Sequence, residues 1–191
     1  MVKKQIHGRR GSGAASGLRA ELNLLNPNFR QAVHLAVKAY NKAGVPYAVI
    51  GGLAAGAYSE PRTTKDVDFL VGDEAFDSVG LVISFKAGIP QQAAGVAVDS
   101  VPIDEELRDL YEQALESAVD SDEPGVRIVT PVYLVMLKLH AMRGKDRQDV
   151  VAVLKSGAVD VDDVSELISG NKKLEDALAR VLRELAEEND E

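Results

Sequence analysis

Tyr47–Val71 reads YAVIGGLAAGAYSEPRTTKDVDFLV, and the fold is decided there. Tyr47–Ile50 is a short apolar run suited to a strand. Gly51-Gly52 makes a turn, Leu53–Tyr58 a small helix, and Arg62–Lys65 a polar and basic loop. Asp66–Val71 alternates as a second strand. Side chains two apart on a strand share a face. Asp66 and Asp68 therefore stand side by side, while Val67, Phe69 and Val71 turn towards a core.

Two neighbouring carboxylates repel each other by roughly 1 kcal/mol in water and by several times that in a less polar site. A hard cation such as Mg²⁺ relieves this, and it is commonly held by one or two carboxylates together with phosphate oxygens. A solvated edge strand would carry the same Asp-x-Asp spelling. The glycines narrow the choice. They let a ligand approach the backbone closely, and a helix starting behind them offers free N–H groups and partial positive charge to an anion. Arg62 and Lys65 can meet phosphate charge, Arg in bidentate fashion. Anion cradle and carboxylate pair within one short unit point together to a phosphorylated ligand with a divalent metal.

Gly51-Gly52-Leu53-Ala54-Ala55 followed by Arg62-Thr63-Thr64-Lys65-Asp66-Val67-Asp68 resembles the signature of the DNA polymerase beta-like nucleotidyltransferase superfamily. The spelling is similar to AbiEii-type toxin nucleotidyltransferases and their minimal relatives. The resemblance implies that Asp66 and Asp68 bind catalytic metal and that a third carboxylate on a later strand completes the site. Asp99, in the alternating run Val96–Val101, is the candidate; a turn or strand-end aspartate would read alike. Gly51, Gly52, Arg62, Thr64 and Lys65 would contact the nucleotide. Lys138-Leu139-His140-Ala141-Met142-Arg143-Gly144-Lys145-Asp146 is similar to a second pattern of that group, which implies that Lys138 also faces the nucleotide. Two departures stand out: Leu53 where many relatives place a hydroxyl residue, and Ser100 where an aliphatic residue usually follows the third carboxylate.

At 191 residues the chain can hold one compact domain, or a small α/β domain with a helical extension. There is no cysteine, hence no disulfide framework. No run approaches the ~18–20 apolar residues of a membrane span, and the N-terminus has no apolar secretory core; a cytoplasmic location is expected. The net charge of −8 argues against an extensive nucleic-acid-binding surface.

Residues 1–25, with Lys3, Lys4, Arg9, Arg10 and Arg19 and little apolar periodicity, are expected to form a flexible basic tail. A catalytic core is expected over 26–124, and a mainly helical region packed on it over 125–191. Asn26 and Pro27 suit the N-cap and first position of a helix. Its buried stripe would be Phe29, Val33, Ala36, Val37 and Tyr40, with Gly44 ending it; His34 falls off the stripe. Leu81–Phe85 reads as a strand after a short connection, and Ile103–Val119 as a helix. Val126–Val129 reads as a strand, and Thr130-Pro131 opens a helix apolar on nearly every side, hence buried. Lys138 within it needs an anionic partner, either Asp146 or Asp149 or a substrate phosphate. Leu174, Leu178, Val181, Leu182 and Leu185 give a terminal amphipathic helix.

The expected fold is α/β of α+β character, a small mixed sheet with flanking helices and a helical C-terminal region. The reaction implied by the resemblance is transfer of NMP from an NTP to a hydroxyl of tRNA or protein, with two Mg²⁺ (or Mn²⁺) held by Asp66, Asp68 and Asp99. A cognate toxin or antitoxin is the partner it suggests. A partner-binding module on the same fold, antitoxin-like, and a glycosyltransferase using Asp66-Val67-Asp68 for a nucleotide-sugar metal are the alternatives.

Overall fold

The computed structural model describes residues 17–79 and 82–189. Its centre is a mixed six-stranded sheet in the order β5-β6-β2-β1-β8-β7. The strands are β1 (Tyr47–Val49), β2 (Asp66–Val71), β5 (Gln92–Ala93), β6 (Val96–Val101), β7 (Val119–Asp120) and β8 (Arg127–Ile128). β1 runs antiparallel to β2, while β2 and β6 run parallel. β1 and β8 are also parallel, with Val49 opposite Ile128. The sheet therefore continues past 124, and the helical region begins at Pro131 rather than 125.

Helices cover the sheet. α1 (Leu18–Leu24) and α2 (Pro27–Ala43) precede it, α3 (Gly51–Tyr58) links β1 to β2, and α4 (Arg108–Glu116) follows β6. Asn26 caps α2 by accepting from the Asn28 N–H at 2.9 Å, and Gly44 ends the helix at φ 68°, a left-handed conformation suited to glycine. Ala32, Val33, Ala36, Val37 and Tyr40 are its buried face. Tyr40 is fully buried, stacks on Tyr47 and meets Phe69 edge-on, so β1, β2 and α2 are joined beneath Asp68 by one aromatic cluster.

The expected tail is corrected from Leu18 onward; residues 1–16 lie outside the described residues. Leu18 and Leu22 are buried, and the Gly17 N–H bonds to the Ala57 carbonyl at 2.8 Å. Glu21 is buried over Gly56, where an added Cβ would come within 2.6 Å of its carboxylate. Glu21 accepts the backbone N–H of Arg62 at 3.4 Å, so α1 holds the loop before β2. Its neighbours Arg19 and Arg30, with His34, converge on the buried carboxylate of Glu123. The short apolar pattern Leu18–Leu25 is one turn too brief to read as a helix without these contacts.

Two further expectations shift. The link between β2 and β6 is a separate hairpin, β3 (Phe76–Val79) on β4 (Val82–Phe85), entered through a short 3-10 turn at Asp73–Ala75. The helix expected over 103–119 is shorter: the Asp104 carboxylate accepts the Glu106 and Leu107 N–H groups, turning the chain before α4 starts, and Val119 joins β7.

The C-terminal helices are α5 (Pro131–Ala141), α6 (Gly144–Lys155), α7 (Val161–Ile168) and α8 (Lys172–Asn189). α5 is packed by α3, α4, α6, α7 and α8, which explains why it is apolar on nearly every side. Leu174, Leu178 and Val181 of α8 are buried, with Leu182 and Leu185 packed at their edge. No helix among the described residues is long and apolar enough to cross a membrane.

Candidate active site

The parallel register of β2 and β6 places Asp68 directly opposite Asp99. Asp66, two residues before Asp68, shares its face, and ligand oxygens of the three lie within 4.8 Å of one another. Strand pairing thus assembles the trio anticipated from separate sequence runs. Asp99 is exposed, whereas Asp66 and Asp68 are half-buried. Burial pushes the Asp68 carboxyl above its ordinary value, and the charges of Asp66 and Asp99 push it further, against the pull of Lys138 and a hydrogen bond from the Gly52 N–H. A cluster of anions so crowded and so incompletely compensated fits a divalent cation.

A second trio, Asp104, Glu106 and His140, has the same spacing, but the Asp104 carboxylate already accepts two backbone N–H groups and His140 Nδ1 bonds the Tyr111 hydroxyl at 2.9 Å.

The glycine turn sits against the carboxylates. Gly51 opens α3 at φ +65°, and a Cβ there would fall 1.8 Å from Asp68 Oδ2. Both facts demand glycine: the left-handed backbone costs an L-residue about 1–2 kcal/mol, and the close approach leaves no room. Gly51→Ala is expected to destabilise the protein and displace the Asp68 carboxylate; a thermal melt should show a drop of several degrees, and unchanged melting would refute the contact. Gly52 is similarly tight, since its Cβ would lie 2.8 Å from Thr64 Oγ1. Thr64 is buried and its hydroxyl reaches Asp66 Oδ1 at 3.1 Å, so it orients a carboxylate.

The bases divide. Lys138 is buried and donates to Asp149 at 2.6 Å and Asp146 at 3.1 Å, the carboxylate partners weighed beside the phosphate. Arg62 pairs with Asp149 as well. Lys65 is exposed. Arg143, given no role in the sequence reading, caps α6 through Asp146 and borders the cleft with its side chain 65% exposed. Its guanidinium is held firmly charged by the Asp146 hydrogen bond and by the nearby charges of Asp68 and Asp66. The Arg-x-x-Asp spacing of a capping pair was its one sequence signal.

These residues open on a cleft of about 570 Å³ lined by Gly51, Asp68 and Asp99, by Leu134, Leu137, Lys138 and Arg143 of the helical region, and by Phe85, Pro102 and Tyr111. A cavity of about 740 Å³ between α6, α8 and the end of α3 contains none of the candidate residues. Ser100, the departure beside Asp99, has a local use: its hydroxyl is 2.7 Å from the Tyr40 hydroxyl, buried below the sheet.

The fold is of the nucleotidyltransferase-like class. Among solved structures, an antigenic nucleotidyltransferase-like protein from Paracoccidioides brasiliensis superposes with a TM-score of 0.56 at 15% identity, over 86% of this chain and 92% of that one. No family model and no curated protein matches the sequence.

Proposed function

We propose that the protein is a metal-dependent nucleotidyltransferase, moving NMP from an NTP to a hydroxyl acceptor with release of pyrophosphate. The observation that carries this reading is the meeting of Asp66, Asp68 and Asp99 on paired strands beneath the Gly51 start of α3. Divalent cations, Mg²⁺ in the first instance, would be held by these three carboxylates and would offset negative charge on the reacting phosphate. Asp66 is set by Thr64, and Asp68 by the Gly52 N–H. Asp99, the most open of the trio, would accept the proton of an incoming hydroxyl. Arg143 supplies the cleft with a cation able to meet phosphate from the rim, and the first turn of α3 supplies partial positive charge.

The experiment is nucleotide binding by the full chain with ATP, GTP, CTP and UTP, each with and without Mg²⁺, followed by transfer of α-³²P label. Binding of at least one nucleotide is expected only with the metal. Indifference to all four would sink the assignment.

A further inference from the structure

The elements that border the cleft differ in charge. Beside the glycine turn and α6, Arg62, Lys138 and Arg143 stand with only Asp146 and Asp149 among them. The hairpin and α4 border the same cleft through Phe85 and Tyr111, and Arg108 of α4 holds Asp73, in the turn that enters the hairpin, at 2.8 Å. Residues 73–86 and 103–116 carry nine carboxylates against two bases, and none of the nine is buried. One of those bases, Arg108, is already held by Asp73, Glu105 and Glu112.

The hairpin also presents apolar surface. Ile83 is 73% exposed and Phe85 36%, with Phe85 braced by Phe76 at a ring separation of 5.1 Å. β3 and β4 form their own sheet and connect the strand of Asp68 to the strand of Asp99. Phe85 lines the same cleft as Asp99, the open carboxylate.

An RNA acceptor brings a phosphate at every nucleotide and is ordinarily met by Lys and Arg along its path. Here it would pass elements with a net excess of carboxylates, which repel it and slow its approach. A polypeptide segment with basic residues beside apolar ones has the complementary character: its charges face the carboxylates and its side chains cover Ile83 and Phe85. We propose that the acceptor is a Ser, Thr or Tyr hydroxyl of such a polypeptide. This rests on the nucleotidyl-transfer reading above. The acceptor oxygen bonds to the α-phosphorus of the NTP, the bond from that phosphorus to the oxygen bridging to the β-phosphate breaks, and pyrophosphate leaves. The hydroxyl proton passes to Asp99, and the product is a phosphodiester between NMP and protein.

The test uses the full chain, Mg²⁺, α-³²P-labelled NTPs and three probes: peptides with one Ser, Thr or Tyr between lysines and a leucine, the same peptides with glutamate for lysine, and RNA oligonucleotides with a free 3′ end. Label is expected on the lysine peptides at ten or more times the rate on the glutamate peptides, falling as salt rises, and not on RNA. Ser78→Lys/Asp109→Lys, which adds a cation on the hairpin face of Ile83 and Phe85 and another on α4, should cut lysine-peptide labelling about tenfold while leaving metal-dependent NTP binding in place. RNA labelled in preference to peptide would overturn the inference and leave the nucleotidyltransferase reading intact. So would NTP binding with no peptide labelled, or equal labelling of the two peptide sets. Loss of NTP binding altogether would instead overturn the reading beneath it.

Discussion

Asp68→Asn is expected to lower nucleotidyl transfer by about a thousandfold, since losing about 4 kcal/mol of charge stabilisation by a held metal, at about 1.4 kcal/mol per power of ten, gives that factor. The same change is expected to raise the melting temperature of the metal-free protein. Asp68 stands opposite Asp99, beside Asp66, and partly out of water, and its carboxyl is shifted up because the folded chain disfavours its charge. Asparagine keeps the shape and keeps an oxygen for the Gly52 N–H, but drops the repulsion. A residue whose neutralisation helps the fold and stops the chemistry is retained for the chemistry. Adding Mg²⁺ should stabilise the wild type, by about 2.7 kcal/mol at a hundredfold excess over its dissociation constant, and should do little for the variant. Paired melts with and without Mg²⁺ read both effects. Equal response of the two proteins to metal, or a destabilised Asn variant, would refute the carboxylate cluster as the metal centre.

Much of this carboxylate cluster is legible in the sequence. DVDFLV announces a strand with two carboxylates on one face because alternation is a property of the extended backbone itself. Gly51 was readable as a required glycine, though its reason is sharper in three dimensions: Asp68 occupies the space a side chain would take. Asp99 could be named only through the resemblance, because register between β2 and β6 depends on the intervening chain, residues 72–95. The hairpin was half missed for a related reason. Phe76–Val79 reads FDSV, with Asp77 and Ser78 adjacent and exposed, so no clean alternation marks it as a strand until β4 lies beside it. α1 was missed because its helical pattern is short and is stabilised by α2 and α3 rather than by propensity. Arg143 was printed in the motif but unread, since its exposure at the cleft follows from where α6 begins.

Lys138→Met is expected to cost about 3 kcal/mol of stability, the low end of the 3–5 kcal/mol range for removing one member of a buried ion pair. Lys138 lies between Asp146, fully buried, and Asp149, 3% exposed, and bonds both. Its removal leaves two carboxylates out of water with less compensation, but each keeps an arginine: Arg143 on Asp146 and Arg62 on Asp149. Those contacts place the expected cost at the low end. Even so, a loss of that size is a large share of the ~5–15 kcal/mol that holds an ordinary domain together. The pH dependence follows from Asp146. Burial alone would raise its carboxyl, but hydrogen bonds and charge from Arg143 and Lys138 outweigh it and hold the group below its ordinary 3.8. A depressed carboxyl contributes stability that is present above its unfolded value and is lost as the pH falls through the folded one. The wild type should therefore lose stability on acidification below about pH 4, and Lys138→Met should show a shallower loss over the same range. Denaturant unfolding of both proteins at neutral and acidic pH measures this directly. The same variant decides between the two anionic partners weighed for Lys138. If the lysine is committed to Asp146 and Asp149, the folded variant at low temperature binds NTP with nearly the wild-type constant. If its ammonium serves the phosphates, binding weakens sharply while stability changes little. The bonds at 2.6 and 3.1 Å favour the first outcome. The ion-pair network then acts as a strut, fixing α5 against α6 and the Arg62 loop so that the carboxylates of the sheet keep their places.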